Sequence, residues 1–366
     1  MNLKTQGYVL LDVDVVALNN AGKSADANFD NAVGTKTVYK NGKAYVYVSG
    51  QAWRYWWREA LQKNLGWKMS PITRESKIAF TEADPLNYDD DDVFGYMKAA
   101  KVEKVDDAGN VVLNKKGEPE KVNGTVTRVS PLKNSAIVSV AATSPAKNWS
   151  SMARQEGDSV PYVKDEYSAI MKGMFSLDIA QVGTFSDYNK TGFKNITTSQ
   201  RVVILAAEGS EEVDDAFVKT GKGEAQKLVR LAKATRIRRA TETIQALKTI
   251  SGGAMQTNNM GDVTPKFIVL GTMTTGNHPF SHVANADKKG QSVELSLDAL
   301  KEVLKDYKVQ FIGTVFIGRR SGFMDELGSA LKELEQLDVK EYPAVKVLSI
   351  NEAIDQYSQQ LEQQMI

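Results

Sequence analysis

The chain has 366 residues, with 46 Lys and Arg against 45 Asp and Glu, 42% hydrophobic residues, two histidines and no cysteine. That length suits roughly two domains, or one core with large insertions, and the near-neutral balance excludes both an acidic disordered chain and a uniformly basic nucleic-acid coat. Disulfides, thiolate metal sites and a cysteine nucleophile are excluded, and with no apolar run near the roughly 18 residues of a membrane span and no leader in Met1 to Gly7, a soluble cytoplasmic binder is expected rather than an enzyme.

The first predicted element is the strand Tyr8 to Leu18, with Val9, Leu11, Val13 and Val15 on one face and Asp12 and Asp14 on the other. The polar turn Asn19 to Lys23 ends it. Strands Thr37 to Tyr39 and Ala44 to Val48 follow, joined by a hairpin turn at Asn41-Gly42. Ser49 then caps a helix, Gly50 to Lys63. From about 71 to 135 the turn signals Asp107 to Asn110 and Lys115 to Pro119 predict an exposed hairpin insertion. Further strands are expected at Ala136 to Ala142 and Phe175 to Phe185, with a polar, Ser-rich connection between them that includes Arg154 to Asp158. Val202 to Ala207 reads as a strand, and Gly221 to Ile250 as mostly helix with a break near Arg236, followed by the loop Gly252-Gly253-Ala254. Strand Phe267 to Leu270, helix Leu297 to Tyr307, strand Phe311 to Ile317, helix Asp325 to Glu335 and a final helix Ile350 to Gln364 with a Gln-rich, solvated end complete an α+β chain.

Helix Gly50 to Lys63 carries two chemistries. At about 100° per residue, Trp53, Trp56, Trp57, Ala60 and Leu61 share one broad face, while Gln51, Arg54 and Arg58 form a stripe opposite. The tryptophans anchor the helix to a core and hold the two guanidiniums as a rigid ladder. Arginine suits phosphate because its planar fork makes two charge-assisted hydrogen bonds to one oxyanion. A solvated basic face is the commoner meaning of such a pattern. A second basic concentration runs from Lys219 to Lys248, nine basic residues against Glu224 and Glu242, and suits non-specific contact with a polyanion.

Other signals carry less. Ala21 to Ser24 lacks the first glycine of a P-loop, since position 17 is Ala17. His278 and His282 have zinc-like spacing but no third ligand, so no metal is assigned. Asp89 to Asp92 reads as an acidic helix start rather than a cation site. No nucleophile with a base and no spaced carboxylate pair stands out, so no catalytic residue is assigned.

Six segments in order resemble one family: GYVLLDVDVVALNNAGK, VSGQAWRYWWREAL, DDDVFGYM, TRVSPLKNSAIVSV, MARQEG and GMFSLDIAQVGTF. They are similar to the backbone subunit of the CRISPR Cascade complex, the seventh Cas family of the RAMP superfamily, in its DevR autoregulator branch usual in type I-B systems. The resemblance implies one RRM-like, ferredoxin-type palm over residues 1–366, with a finger insertion at about 71–135 and a thumb hairpin at about 186–223. It implies a subunit that polymerises head-to-tail along CRISPR RNA beside other Cascade subunits. Such a subunit presents the guide to target DNA, uses no cofactor and cuts nothing. The family's helix ladder falls on Gln51, Arg54 and Arg58, its first-strand loop on Asn19, Asn20 and Lys23, and its glycine-rich loop on Gly252, Gly253, Met255, Gln256, Thr257 and Asn258. Asp89 to Asp92 is expected to offer an acidic surface to a basic one on the next copy. Two alternatives stay open: a sequence-specific DNA-binding autoregulator, and a metal-dependent RNA-cleaving relative using Asp26 or Asp30.

Overall fold

The N-terminal apolar run forms β1 (Lys4–Val16), and its blurred alternation has a cause: residues 5–11 are buried on both faces, Asp12 and Asp14 emerge, and Val15, expected on the apolar face, is turned out at a bulge with left-handed backbone (φ 46°). The computed structural model describes residues 3–23, 32–75, 78–99, 101–103, 111–114, 116–154, 156–190 and 192–365. It divides into two units. The first joins Met1–Leu65, Lys133–Asp178 and Thr241–Gln364; the second is built from Gly66–Leu132 and Ile179–Ala240. The stretch 71–135 therefore lies in the second unit up to Leu132, and 186–223 lies wholly within it.

In the first unit β1 is followed by β2 (Thr37–Lys40), β3 (Lys43–Val48), α1 (Gly50–Leu65), β4 (Ile137–Ser139), β5 (Ala146–Met152), β6 (Val160–Asp178), β7 (Phe267–Met273), α2 (Leu297–Asp306), β8 (Val315–Arg319), β9 (Val345–Leu348) and α3 (Ile350–Gln364). One mixed sheet runs β9-β8-β7-β1-β6-β4-β3-β2. Along this order the pairs are antiparallel except β8 with β9, and off it the strand Ala32–Thr35 lies parallel to β6. Numbered in chain order, β1, β4, β6 and β7 stand 4-1-3-2, with α1 between the first two and helix Lys233–Gln245 between the last two. The turn between β2 and β3 has left-handed backbone at both Asn41 and Gly42 (φ 51° and 74°), as the Asn-Gly signal requires.

Each face of the sheet carries its own packing. Tyr8 and Leu10 of β1 join Phe267 and Val269 of β7 and Leu300 and Leu304 of α2 in one apolar cluster. On the other face Trp57 meets Phe175 of β6 edge-on, with ring centroids 5.1 Å apart, and Trp53 meets the same ring at 6.4 Å. The Trp57 indole donates to the Thr243 carbonyl at 2.7 Å, so its one polar atom is satisfied in the core. Phe175 lies across Gly7, where a Cβ would sit 2.0 Å from the ring. Gly7→Ala is therefore expected to overpack this layer and cost about 1–3 kcal/mol. Urea unfolding of the variant measures the loss, and Gly7→Ala with Phe175→Leu should recover part of it.

Several expectations are corrected. The strand expected at Phe175 to Phe185 starts at Val160 and ends at Asp178, with a separate short strand Thr184–Phe185. The Ser-rich connection before it contains β5, which pairs with the start of β6 from Ala146–Glu166 to Met152–Val160. The strand expected at Phe311 to Ile317 occupies Val315–Arg319 instead, and Asp325 to Glu335 is a 3-10, α, 3-10 series. The last helix is as expected, but not all of its glutamines are solvated. Gln360 accepts from Thr314 N at 2.7 Å, and Gln364 donates to Ile312 O at 2.9 Å.

In the second unit the expected strand Val202 to Ala207 is a helix, Thr198–Ala206, opened by a capping box between Thr197 and Gln200. The expected helix from Gly221 is a hairpin strand, Ala225–Arg230, paired with Glu211–Lys219; the helix begins at Lys233. The break expected near Arg236 is thus a change from strand to helix between Arg230 and Lys233.

The expected acidic surface at Asp89 to Asp92 is overturned, because all four carboxylates are buried in helix Asp89–Phe94. Asp92 is fully buried. It binds the Arg128 guanidinium, accepts from Arg239 Nη1 at 2.9 Å and from Gly183 N at 2.8 Å. Asp89 accepts from Arg238 Nη2 at 2.6 Å and Arg239 Nε at 2.7 Å. Burial alone would raise the Asp89 carboxyl, but the two guanidiniums outweigh it and hold it below the usual range. The basic concentration from Lys219 to Lys248 is thereby drawn inward at its arginines: Arg236 donates to Leu231 O, and Arg230 pairs with Glu211 at 3.7 Å. Lys219, Lys222, Lys227 and Lys233 remain exposed, Lys227 beside Asp214.

Candidate nucleic-acid interface

Three segments far apart in sequence meet in the first unit. The first is the chain leaving β1. Leu18 is buried, and the Asn19 side chain turns back to accept from Ser49 N at 2.9 Å. The second is the N-terminus of α1 that Ser49 introduces, its hydroxyl accepting from Ala52 N at 3.3 Å. The third is the glycine-rich loop, anchored by Ala254 N donating to Leu18 O at 3.0 Å. Asn19 is therefore a joint between the first two segments, and Leu18 a joint between the first and third.

The loop fits because of what it lacks. A Cβ at Gly252 would stand 2.2 Å from the Trp56 indole, and one at Gly253 (φ 109°) 2.6 Å from Leu18. Beyond them Met255 takes left-handed backbone and opens the short helix Gln256–Asn259. The Gln256 amide closes the loop on itself, donating to the carbonyls of Gly252 and of Gly261, the latter at 3.1 Å. Thr257 and Asn258 are exposed at its tip. Asn259 donates to Glu166 Oε1 at 3.0 Å and ties the loop to β6.

On α1 the burial follows the helical period as expected. Trp53, Trp56, Trp57, Ala60 and Leu61 are buried, Gln51 is exposed, and Arg54 and Arg58 are half-buried. Burial, with the Arg58 charge beside it, lowers the Arg54 guanidinium to about 10. A cation held at such a cost gains most from an anionic ligand. Arg54 Nη1 also donates to Asn134 Oδ1 at 3.2 Å, a neighbour that sequence reasoning missed. A lone Asn in the run LKNS gives no signal of that contact.

The structure thus brings Asn19 together with the start of α1, and Gly252 and Gly253 onto Trp56 and Leu18. Asn20 is exposed in the short strand Asn20–Lys23, which pairs with Ala32–Thr35. Asp26 and Asp30, the residues of the RNA-cleaving alternative, lie outside the described residues. His278 is engaged elsewhere: its Nε2 is 2.8 Å from Gly7 O, and burial lowers its pKa. Among the described residues no cluster of three or more His, Asp or Glu is placed to hold a metal ion. No helix among them is long and apolar enough to cross a membrane.

The family model described as CRISPR-associated negative auto-regulator DevR/Csa2 matches residues 9–307. No curated protein matches. Among solved structures, a chain of a "CRISPR RNA-guided surveillance complex, pre-nicking" is 10% identical, with 98% of this chain and 100% of that chain covered and a TM-score of 0.51. A chain of another "CRISPR RNA-guided surveillance complex" is also 10% identical, covering 98% of this chain and 99% of that one at a TM-score of 0.49. At that identity the likeness is one of fold.

Proposed function

The chain belongs to the family of CRISPR-associated negative auto-regulators DevR/Csa2, and from that premise we propose that it is a CRISPR-RNA-binding backbone subunit of a type I-B Cascade effector complex. The observation that carries this reading is the meeting of the Asn19 loop and the glycine-rich loop with α1, the helix whose opposite stripe carries Arg54 and Arg58. The 4-1-3-2 strand order with a helix after the first and third strands supports an RRM-like, ferredoxin-type palm.

The chemistry suits a guide holder. A subunit that accepts any guide must leave the bases free, so its contacts go to phosphate and sugar while base pairing reads the target. Arg54 and Arg58 supply forked cationic donors. Asn20, Gln51, Thr257 and Asn258 are exposed, uncharged hydrogen-bonding groups suited to sugar and phosphate oxygens. Copies repeating this contact along one RNA form a head-to-tail filament beside other Cascade subunits, a heterologous arrangement that need not close. In this reading the protein holds RNA without cutting it.

The family description also names a regulator, and one competition assay separates the two. Labelled single-stranded RNA of mixed sequence is expected to bind the purified chain and to resist excess duplex DNA carrying its own promoter. Preferential binding of that duplex over RNA would overturn the guide-holder reading.

A further inference from the structure

We propose that Asn134 is a positioning residue that pre-orders the guanidinium of Arg54 for an RNA phosphate; this rests on the RNA-binding reading of the same site. Asn134 ends the short strand Leu132–Asn134, half-buried beside the first turn of α1. Its Nδ2 donates to Gly50 O and to Ser135 O, each at 3.1 Å, and its Oδ1 accepts from Arg54 Nη1 at 3.2 Å. Only this orientation of the amide matches every atom, since two carbonyls need donors and the guanidinium needs an acceptor. The approach is close: a Cβ on Gly50 would lie 3.2 Å from Asn134 Nδ2.

The chemical point is that the acceptor is neutral. Arginine has a long side chain with many rotamers, and ordering it before the ligand arrives removes a cost from binding. A carboxylate at this position would order it too, but would pair with the charge that a phosphate needs. An amide fixes one edge of the fork and leaves the charge in place. Asn134 thus does for Arg54 what the buried tryptophans do for the helix.

The test is a double-mutant cycle on the full chain, read by anisotropy of labelled single-stranded RNA across a salt series. Asn134→Ala is expected to weaken binding about tenfold, the worth of one modest hydrogen bond, with the salt slope unchanged because no charge is lost. Asn134→Asp is expected to lower the slope by about one, as Arg54→Ala does, because the new carboxylate takes the place of one phosphate. In an Arg54→Ala background Asn134→Ala should have no further effect. Equal losses in both backgrounds, or no loss from Asn134→Ala while Arg54→Ala weakens binding, would overturn the positioning role. If Arg54→Ala itself has no effect, the RNA-binding reading of the site fails instead. Thermal melting by circular dichroism identifies a variant that does not fold, and Asn134→Ser, which keeps a hydroxyl donor but is too short to hold Arg54, then carries the same comparison.

Discussion

Replacing Asp92 with alanine is expected to cost about 3–5 kcal/mol and to loosen the second unit alone. The carboxylate is fully buried and is shared by two buried guanidiniums and the Gly183 amide. Arg128 is further fixed by donating to Gln181 O and Thr184 O, and it lies over the Phe185 ring at 4.3 Å. Removing the anion leaves the desolvated Arg128 without its carboxylate and Arg239 with Asp89 alone, which costs far more than the net worth of an intact pair. Asp92→Asn should lose most of the same stability, because it keeps the shape but not the charge. Denaturant unfolding gives the magnitude. Hydrogen exchange gives the place: protection should fall across 66–132 and 179–240 and stay in β1, β6 and β7. Wild-type stability in Asp92→Ala would contradict this account of the cluster. The same burial means that substituting all four aspartates tests folding rather than contact between copies.

The second large effect is on binding. Arg54→Ala and Arg58→Ala are each expected to weaken single-stranded RNA of every sequence alike, by about 1.5–3 kcal/mol, and to lower the salt slope by about one. The reason lies in α1: the Trp face leaves both guanidiniums no freedom to roll away, and burial makes Arg54 a poorly solvated cation. Anisotropy on several unrelated RNA sequences measures it. A loss confined to one sequence would place these arginines against bases instead.

Much of this could be read from the residues, and the gaps have physical reasons. Helix α1 was legible because its tryptophans and its polar stripe obey one period of 3.6. The strands of the 4-1-3-2 core were legible where their apolar residues are dense, as in β1 and β7. The first half of β6 was not, because Val160 to Glu166 carries charges at Lys164, Asp165 and Glu166 and a proline at Pro161, and its pairing with β5 rather than an apolar pattern holds it extended. The helix Thr198–Ala206 was misread from its β-branched run Val202-Val203-Ile204. Its capping box at Thr197 and Gln200 was the better signal. The buried aspartates and the arginines of the basic run misled together, since Asp89 and Asp92 are neutralised by Arg238 and Arg239, more than a hundred residues away. Local charge pattern does not reveal that. At the site, the ladder on α1 announced itself, whereas the joints at Asn19–Ser49, Leu18–Ala254 and Arg54–Asn134 exist only once the chain is folded.

The most direct measurement of the central claim is on the protein made in cells together with a CRISPR array: the ratio of absorbance at the nucleic-acid and protein maxima, then extraction and sizing of what co-purifies. The account predicts RNA of one discrete length, in a particle much heavier than the 40.2 kDa chain. A nucleic-acid-free monomer from the same cells would contradict it.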